Sequence, residues 1–164
     1  MVFGWCCGAG VAGLRLLGIG YGAAVTTRAA LITEARSWIG TPFVARAAVK
    51  GAGCDCVGLL NACRAYALGK PLEAMPPYSW DFAANPDQDR IRDTAARLLV
   101  PVETPQPGDV LIFRWRTCEA WSHAALISGD GVMIHAIPPR GVVETHFGGW
   151  ADRIAGTFAI PGID

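Results

Sequence analysis

An excess of charge of either sign is missing from this chain: 14 Lys and Arg residues balance 14 Asp and Glu residues over 164 positions. No basic cluster stands in a row that could neutralise consecutive phosphates, so nucleic acid is not an expected partner. Histidine is scarce. Its three copies, His123, His135 and His146, all fall in the C-terminal quarter, so any thiol–imidazole chemistry requires the fold to join distant segments. Internal repeats and low-complexity segments are absent too.

A long unbroken hydrophobic run is also lacking. Residues 1–25 are apolar and rich in glycine, which invites a signal or anchor reading. However, no basic residue precedes the apolar stretch, Arg15 interrupts it, and each glycine in a helix costs about 1 kcal/mol relative to alanine. The expectation is an N-terminal extension, disordered or read from a start placed too early, with no stable membrane insertion. One domain then covers 26–164. A chain of this length buries roughly 70% of its unfolded surface and needs neither disulfides nor metal to fold. Its six cysteines do not form the even spacing of a secreted disulfide framework, because Cys6 and Cys7 are adjacent and Cys54 and Cys56 nearly so. Free thiols are expected.

From Thr27 the apolar period becomes helical, with Leu31, Ala35, Trp38 and Ile39 on one face, Thr27 as N-cap and Gly40 as the stop. A second helix fits 55–68, with Leu59, Leu60, Cys63, Tyr66 and Ala67 on one face, Gly69 just past its end and Cys56 in its first turn. The stretch 70–84 is rich in proline and carries Tyr78, Trp80 and Phe82, so it reads as an ordered loop packed over the core, with substrate contact as the alternative. A third helix opens at Asn85, with Pro86 at its first position, and runs to about Leu99 with Ile91, Ala95 and Leu98 as its apolar face. Beyond it the pattern shifts to buried strands over 110–115, 123–128, 132–137, 141–146 and 156–161. Helices followed by strands predict an α+β domain, its antiparallel sheet packed against the N-terminal helices.

Two features carry chemistry. In "HAALISGDGVMIHA", pairing across a three-residue loop sets His123 opposite His135 on one face of a hairpin, close enough for one ring to orient the other. A two-residue loop sets His135 opposite Ala124 instead. In "GAGCDCVGLL", Cys56 stands in the first turn of a helix, where the macrodipole and unsatisfied N–H groups favour the thiolate and can hold an oxyanion. An imidazole alongside lowers the thiol pKa further. If the helix packs with its N-terminus at the His123 end of the hairpin, nucleophile, base and orienting group follow in the order Cys, His, His. Gly51 and Gly53 then serve the tight approach, and Gly58 the close packing of the helix.

Those residues also carry a family resemblance. "CDCVGLL", "PGDVLIF", "HAALISGDGVMIHA" and, upstream, "ARSWIGTPF" resemble, in this order, four motifs of the NlpC/P60 cysteine peptidases, over about residues 28–161. The spelling around "GTPF…KGAGCDCVGLL", with the "PPYSWDF" loop, is most similar to a subgroup of phage and gene-transfer-agent tail peptidases. The resemblance implies a papain-like fold, no cofactor, and hydrolysis of peptidoglycan stem peptides between D-γ-glutamate and diaminopimelate. It implies Cys56 as nucleophile, His123 as base and His135 as orienting residue. Tail proteins are the implied partners. The implied place of action is the periplasm or cell wall, reached from a virion or tail-like particle made without a signal peptide.

Two positions depart from the family pattern: Phe43 stands where a tyrosine is usual, and Val57 where a serine follows the cysteine. Asp55 is expected to cap the helix or meet a substrate amino group. Arg114 and Arg116, on the way to His123, are candidate partners for muropeptide carboxylates, with solvated surface charge as the commoner fate. Cys54 is expected to be a bystander, Cys63 a buried apolar residue, and Cys118 and His146 exposed. Three other readings remain open from the residues: a zinc site using Cys54, Cys56, Cys63 and a histidine, whose C-x-C spacing is poor for tetrahedral geometry; a non-catalytic tail component retaining the fold; and acyl transfer on the same Cys/His machinery.

Overall fold

The computed structural model describes residues 27–75, 78, 90–114 and 121–164. The expected extension over 1–25 and the start of the third helix lie outside the described residues, as do Trp80, Phe82, Arg116 and Cys118.

The first helix, α1 (Arg28–Arg36), begins where the Thr27 hydroxyl accepts a hydrogen bond from the Ala30 N–H, and it buries Leu31, Ile32 and Ala35. It ends earlier than the periodicity predicts. The chain turns through Ser37 to Gly40, whose φ of 87° suits glycine. Trp38 therefore reaches the core from a turn, and Ile39 is 47% exposed instead of buried. A two-stranded hairpin, β1 (Ala48–Val49) with β2 (Gly53–Cys54), leads directly into α2 (Cys56–Leu68). Helix α2 stops at Gly69, in the left-handed region at φ 59°. Its buried residues include Leu59, Cys63 and Ala67 as expected, but Tyr66 is half exposed. The helix is covered on a second side instead, where the Asn61 amide makes hydrogen bonds of 2.8 and 3.0 Å with the backbone of Glu73.

Helix α3 (Arg90–Leu98) buries Ile91 and Ala95. Six strands follow: β3 (Val100–Pro101), β4 (Val110–Arg114), β5 (Trp121–Gly129), β6 (Val132–Ile137), β7 (Gly141–His146) and β8 (Ile154–Ala159). They form one antiparallel sheet in the order β3-β8-β4-β5-β6-β7. A 3-10 helix, Gly148–Arg153, precedes β8. The architecture is α+β, as the order of elements predicts.

The strands read as nearly continuous apolar runs because both faces of the sheet are covered. Val110, Ile112, Ala124, Leu126, Ile134, Ala136 and Val142 pack with the helices in the main core. On the opposite face Leu111, Phe113, Ala125, Ile127 and Met133 form a smaller core closed by Phe147, Trp150 and Ile154.

The β5–β6 hairpin corrects one expectation. Its turn is Asp130–Gly131, with Gly131 at φ 66°, and the register is Leu126↔Ile134 and Ile127↔Met133, with a bulge before Gly129↔Val132. His123 is therefore not directly opposite His135, since continuing this register sets Ala125 there. The offset is two residues, and an even offset keeps a side chain on the same face. Both imidazoles still share one side of the sheet.

Close approach of α2 to the preceding hairpin depends on Gly58, where an added Cβ would lie 2.0 Å from the Ala47 carbonyl oxygen. Backbone cannot yield as a flexible side chain would. Gly58→Ala is expected to lower the unfolding free energy by about 1–3 kcal/mol, read as a drop in the urea midpoint. A midpoint equal to wild type would show that the helix start tolerates displacement.

Candidate active site

Asp55 and Cys56 occupy the N-cap and first position of α2. Asp55 is buried, and its carboxylate is fully engaged: Oδ1 accepts from the Gly58 N–H at 2.8 Å, and Oδ2 from the Arg46 N–H at 2.6 Å and the Tyr78 hydroxyl at 2.7 Å. Arg46 has φ 60°, unusual outside glycine. Of the two roles open to Asp55, the geometry supplies the cap. A cleft of about 390 Å³ lies beside it, lined by Arg46, Ala47, Gly58, Asn61, Glu73 and Tyr78 among others.

The Cys56 thiol is buried against β5. The backbone N–H groups of Ala124, Val57 and Cys56 itself are placed to hydrogen-bond it and favour its charged form. Ala124 follows His123 in β5, so the thiol lies against the strand that carries the first histidine. Helix α2 packs on both β5 and β6. His123 Nε2 lies 2.8 Å from His135 Nδ1, and His135 Nε2 lies 3.2 Å from Thr145 Oγ1. Trp150 stands 5.6 Å from both imidazole centroids and edge-on to His135. Phe113 packs at 6.0 Å on His123.

Electrostatics at the thiol run opposite to expectation. Burial first, and the charge of Asp55 second, push the Cys56 thiol up to about 12, outweighing the amides. The carboxylate that caps the helix sits where the positive end of the macrodipole would act, and desolvation does the rest. Cys54, fully buried in β2, is raised to about 11, and Cys63 is raised further by burial. Burial lowers His123 to about 3, with His135 adding to the shift, and burial followed by Arg140 lowers His135 to about 4. Thiol and imidazoles are all neutral at pH 7.

Phe43 is partly buried and bridges to Cys54, near the start of α2. Arg114 ends β4 opposite Trp121, which opens the strand carrying His123. His146 is exposed. Among the described residues no three His, Cys, Asp or Glu side chains converge as metal ligands would, and no helix is long and apolar enough to cross a membrane. The sequence carries no signal that singles out Thr145 or Trp150, and it places Tyr78 only in a packed loop. Thr145 is recognisable only through the β6–β7 register, Met133↔Thr145 and His135↔Val143, and Trp150 only through the turn of 3-10 helix that folds over the outer face.

No family model and no curated protein matches the sequence. Solved structures do match. An NlpC/P60 family protein from Bacillus cereus ATCC 10987 superposes with a TM-score of 0.59 at 24% identity, covering 80% of this chain and 39% of its own. A lipoprotein-like NLP/P60 family protein from Staphylococcus aureus subsp. aureus Mu50 gives 0.58 at 20% identity, over 84% of this chain and 41% of its own. The NlpC/p60 domain of the peptidoglycan hydrolase SagA gives 0.58 at 22% identity, over 82% of this chain and 99% of its own. This chain has the NlpC/P60 papain-like fold. It spans about two fifths of the length of the first two structures and matches the SagA domain almost end to end.

The cap carboxylate raises the thiol pKa, so Asp55→Asn, which keeps a capping oxygen, should move the midpoint of Cys56 alkylation by iodoacetamide to lower pH. An unchanged midpoint would remove Asp55 from the account. The depressed imidazoles also link folding to pH. Between pH 6.5 and about 4 the unfolded chain binds protons that buried His123 and His135 do not. Their contribution to stability is complete above pH 6.5 and lost as pH falls. The urea midpoint should therefore drop from pH 7 to pH 5, and drop less in His123→Asn/His135→Asn.

Proposed function

We propose that this chain is a cysteine peptidase that cleaves peptidoglycan stem peptides between D-γ-glutamate and diaminopimelate by way of a Cys56 thioester. One observation carries the reading: a buried thiol at a helix N-terminus, beside Ala124 in the strand that bears His123, the first of a hydrogen-bonded histidine pair. It lies in a fold shared with the domain of a peptidoglycan hydrolase, and the sequence motifs "CDCVGLL" and "HAALISGDGVMIHA" supply the chemistry at those positions.

In this reading His123 takes the thiol proton as Cys56 Sγ attacks the scissile carbonyl. The resting pair is neutral, so proton transfer accompanies attack instead of preceding it. Charge developing on the carbonyl oxygen is accepted by backbone N–H at the start of α2. His123 returns the proton to the leaving amine of diaminopimelate, then activates the water that releases the acyl group. His135 orients His123 and does not bond the thiol. With Phe43 in place of tyrosine one oxyanion donor is absent, a loss that can cost about 10²–10³-fold in rate, so turnover is slow. Arg114 and Arg116 are proposed to meet substrate carboxylates. The motif spelling further supports carriage on a phage or gene-transfer-agent tail, with other tail proteins as partners and action in the periplasm or cell wall.

Incubation with purified muropeptides, followed by mass spectrometry of the products, tests this directly. Wild type should expose a new amine on diaminopimelate and Cys56→Ala should not. His123→Ala should leave almost no activity, since a general base is worth about 10²–10⁴-fold, while His135→Ala leaves part. Intact muropeptides from folded protein would favour a non-catalytic tail component. Transfer of the acyl group to an added amine in preference to water would favour the acyltransferase. Absence of the chain from purified tail particles would refute the tail assignment alone.

A further inference from the structure

We propose that the hydroxyl of Thr145 terminates a hydrogen-bonded chain, Thr145–His135–His123, that holds both imidazoles as Nε2–H tautomers and leaves His123 Nδ1 bare as the base available to Cys56. The proposal rests on the reading of Cys56 and His123 as nucleophile and base, and it makes Thr145 a positioning residue.

The contacts allow only two proton arrangements. His123 Nε2 is committed to His135 Nδ1 at 2.8 Å, and His135 Nε2 to Thr145 Oγ1 at 3.2 Å. In the first, His123 Nε2–H donates to His135 Nδ1, and His135 Nε2–H donates to the Thr145 oxygen. His123 Nδ1 then carries a free lone pair and can accept the thiol proton, after which the ring is an imidazolium still bonded to His135. In the second, every proton is reversed: the Thr145 hydroxyl donates to His135 Nε2, His135 Nδ1–H donates to His123 Nε2, and Nδ1 of His123 carries the proton. Such a ring has no lone pair left for the thiol. Both rings are neutral at pH 7 because burial holds them there, so the tautomer decides whether His123 is a base at all.

Thr145 makes the first arrangement possible by supplying an acceptor. His135 is 2% exposed, and Trp150 lies edge-on to its ring at 5.6 Å, so Thr145 is the partner recorded for Nε2 among the described residues. A buried N–H with no acceptor is costlier than a bare nitrogen lone pair. Removing the Thr145 oxygen therefore disfavours His135 Nε2–H and drives the chain into the reversed arrangement. The β6–β7 register, with Met133 opposite Thr145 and Val143 opposite His135, is what puts Thr145 one diagonal step from His135 on the histidine face.

The test uses Thr145→Val, which keeps shape and removes the oxygen, and Thr145→Ser, which restores it. Ring-nitrogen NMR shifts of substrate-free protein report each tautomer. Wild type and T145S should show His123 Nδ1 as the unprotonated nitrogen. In T145V that signal should move towards the protonated position, and kcat on muropeptides should fall about tenfold with KM unchanged, the shift expected from losing one acceptor to a buried donor. Recovery of kcat in T145S completes the case. Identical ring spectra in wild type and T145V, or an altered spectrum with wild-type kcat, would overturn it. If wild type leaves muropeptides intact, the substrate reading falls by itself, and the ring spectra still decide the role of Thr145.

Discussion

The carboxylate of Asp55 is the joint on which the rest of the site depends. In one buried group it satisfies the first turn of α2 through Gly58, the strained backbone at Arg46, and the hydroxyl of Tyr78. Those three groups come from separate segments of chain. Without the carboxylate the buried Gly58 N–H would lack its partner, and the hairpin that feeds the helix would lose its contact at Arg46. The same placement acts against the thiol next to it. A negative charge at the N-cap opposes the thiolate that the helix N-terminus would otherwise favour, and burial adds to the opposition.

That antagonism sets the character of the site. A low-pKa thiolate paired with an imidazolium is not the resting state here: the thiol stands near 12 and the imidazole near 3. Burial keeps the thiol and the imidazoles neutral, and in the proposed mechanism a thiolate forms only as its proton leaves for a base with a free lone pair. The tautomer of the histidine pair then matters more than its charge. On the outer face of the sheet the pair meets Phe113 and Trp150 and a hydroxyl from β7, the source of the proposed control.

The sheet serves two masters because both its faces are dry. One face receives the helices and brings the first turn of α2 to Ala124; the other holds the imidazoles in a small aromatic core. Strand β5 joins the two, passing the backbone of Ala124 to the thiol and the side chain of His123 to the histidine pair. This arrangement accounts for the continuous apolar runs of β4, β5 and β6, which carry no polar alternation to indicate a solvent face.

Much of this was legible in residue order. The caps at Thr27, Asp55 and Gly69, the 3.6-residue period of the helices and the apolar strand runs act over a few residues, and local sterics and hydrogen bonding suffice to determine them. The α+β order and the place of Cys56 at a helix start follow from such signals. Other features did not. Ile39 was misjudged because periodicity does not say where a helix stops. The hairpin register was misjudged because a bulge near Ser128 shifts pairing without a distinct residue signature. The thiol pKa was misjudged because desolvation and the cap carboxylate are properties of the packed state. Thr145, Trp150 and Tyr78 reach the site only through strand register and long-range packing. Sequence determined the local elements and the chemical identity of the thiol and imidazoles; tertiary structure alone decided their protonation and partners, because burial and charge proximity arise only when distant segments exclude water together.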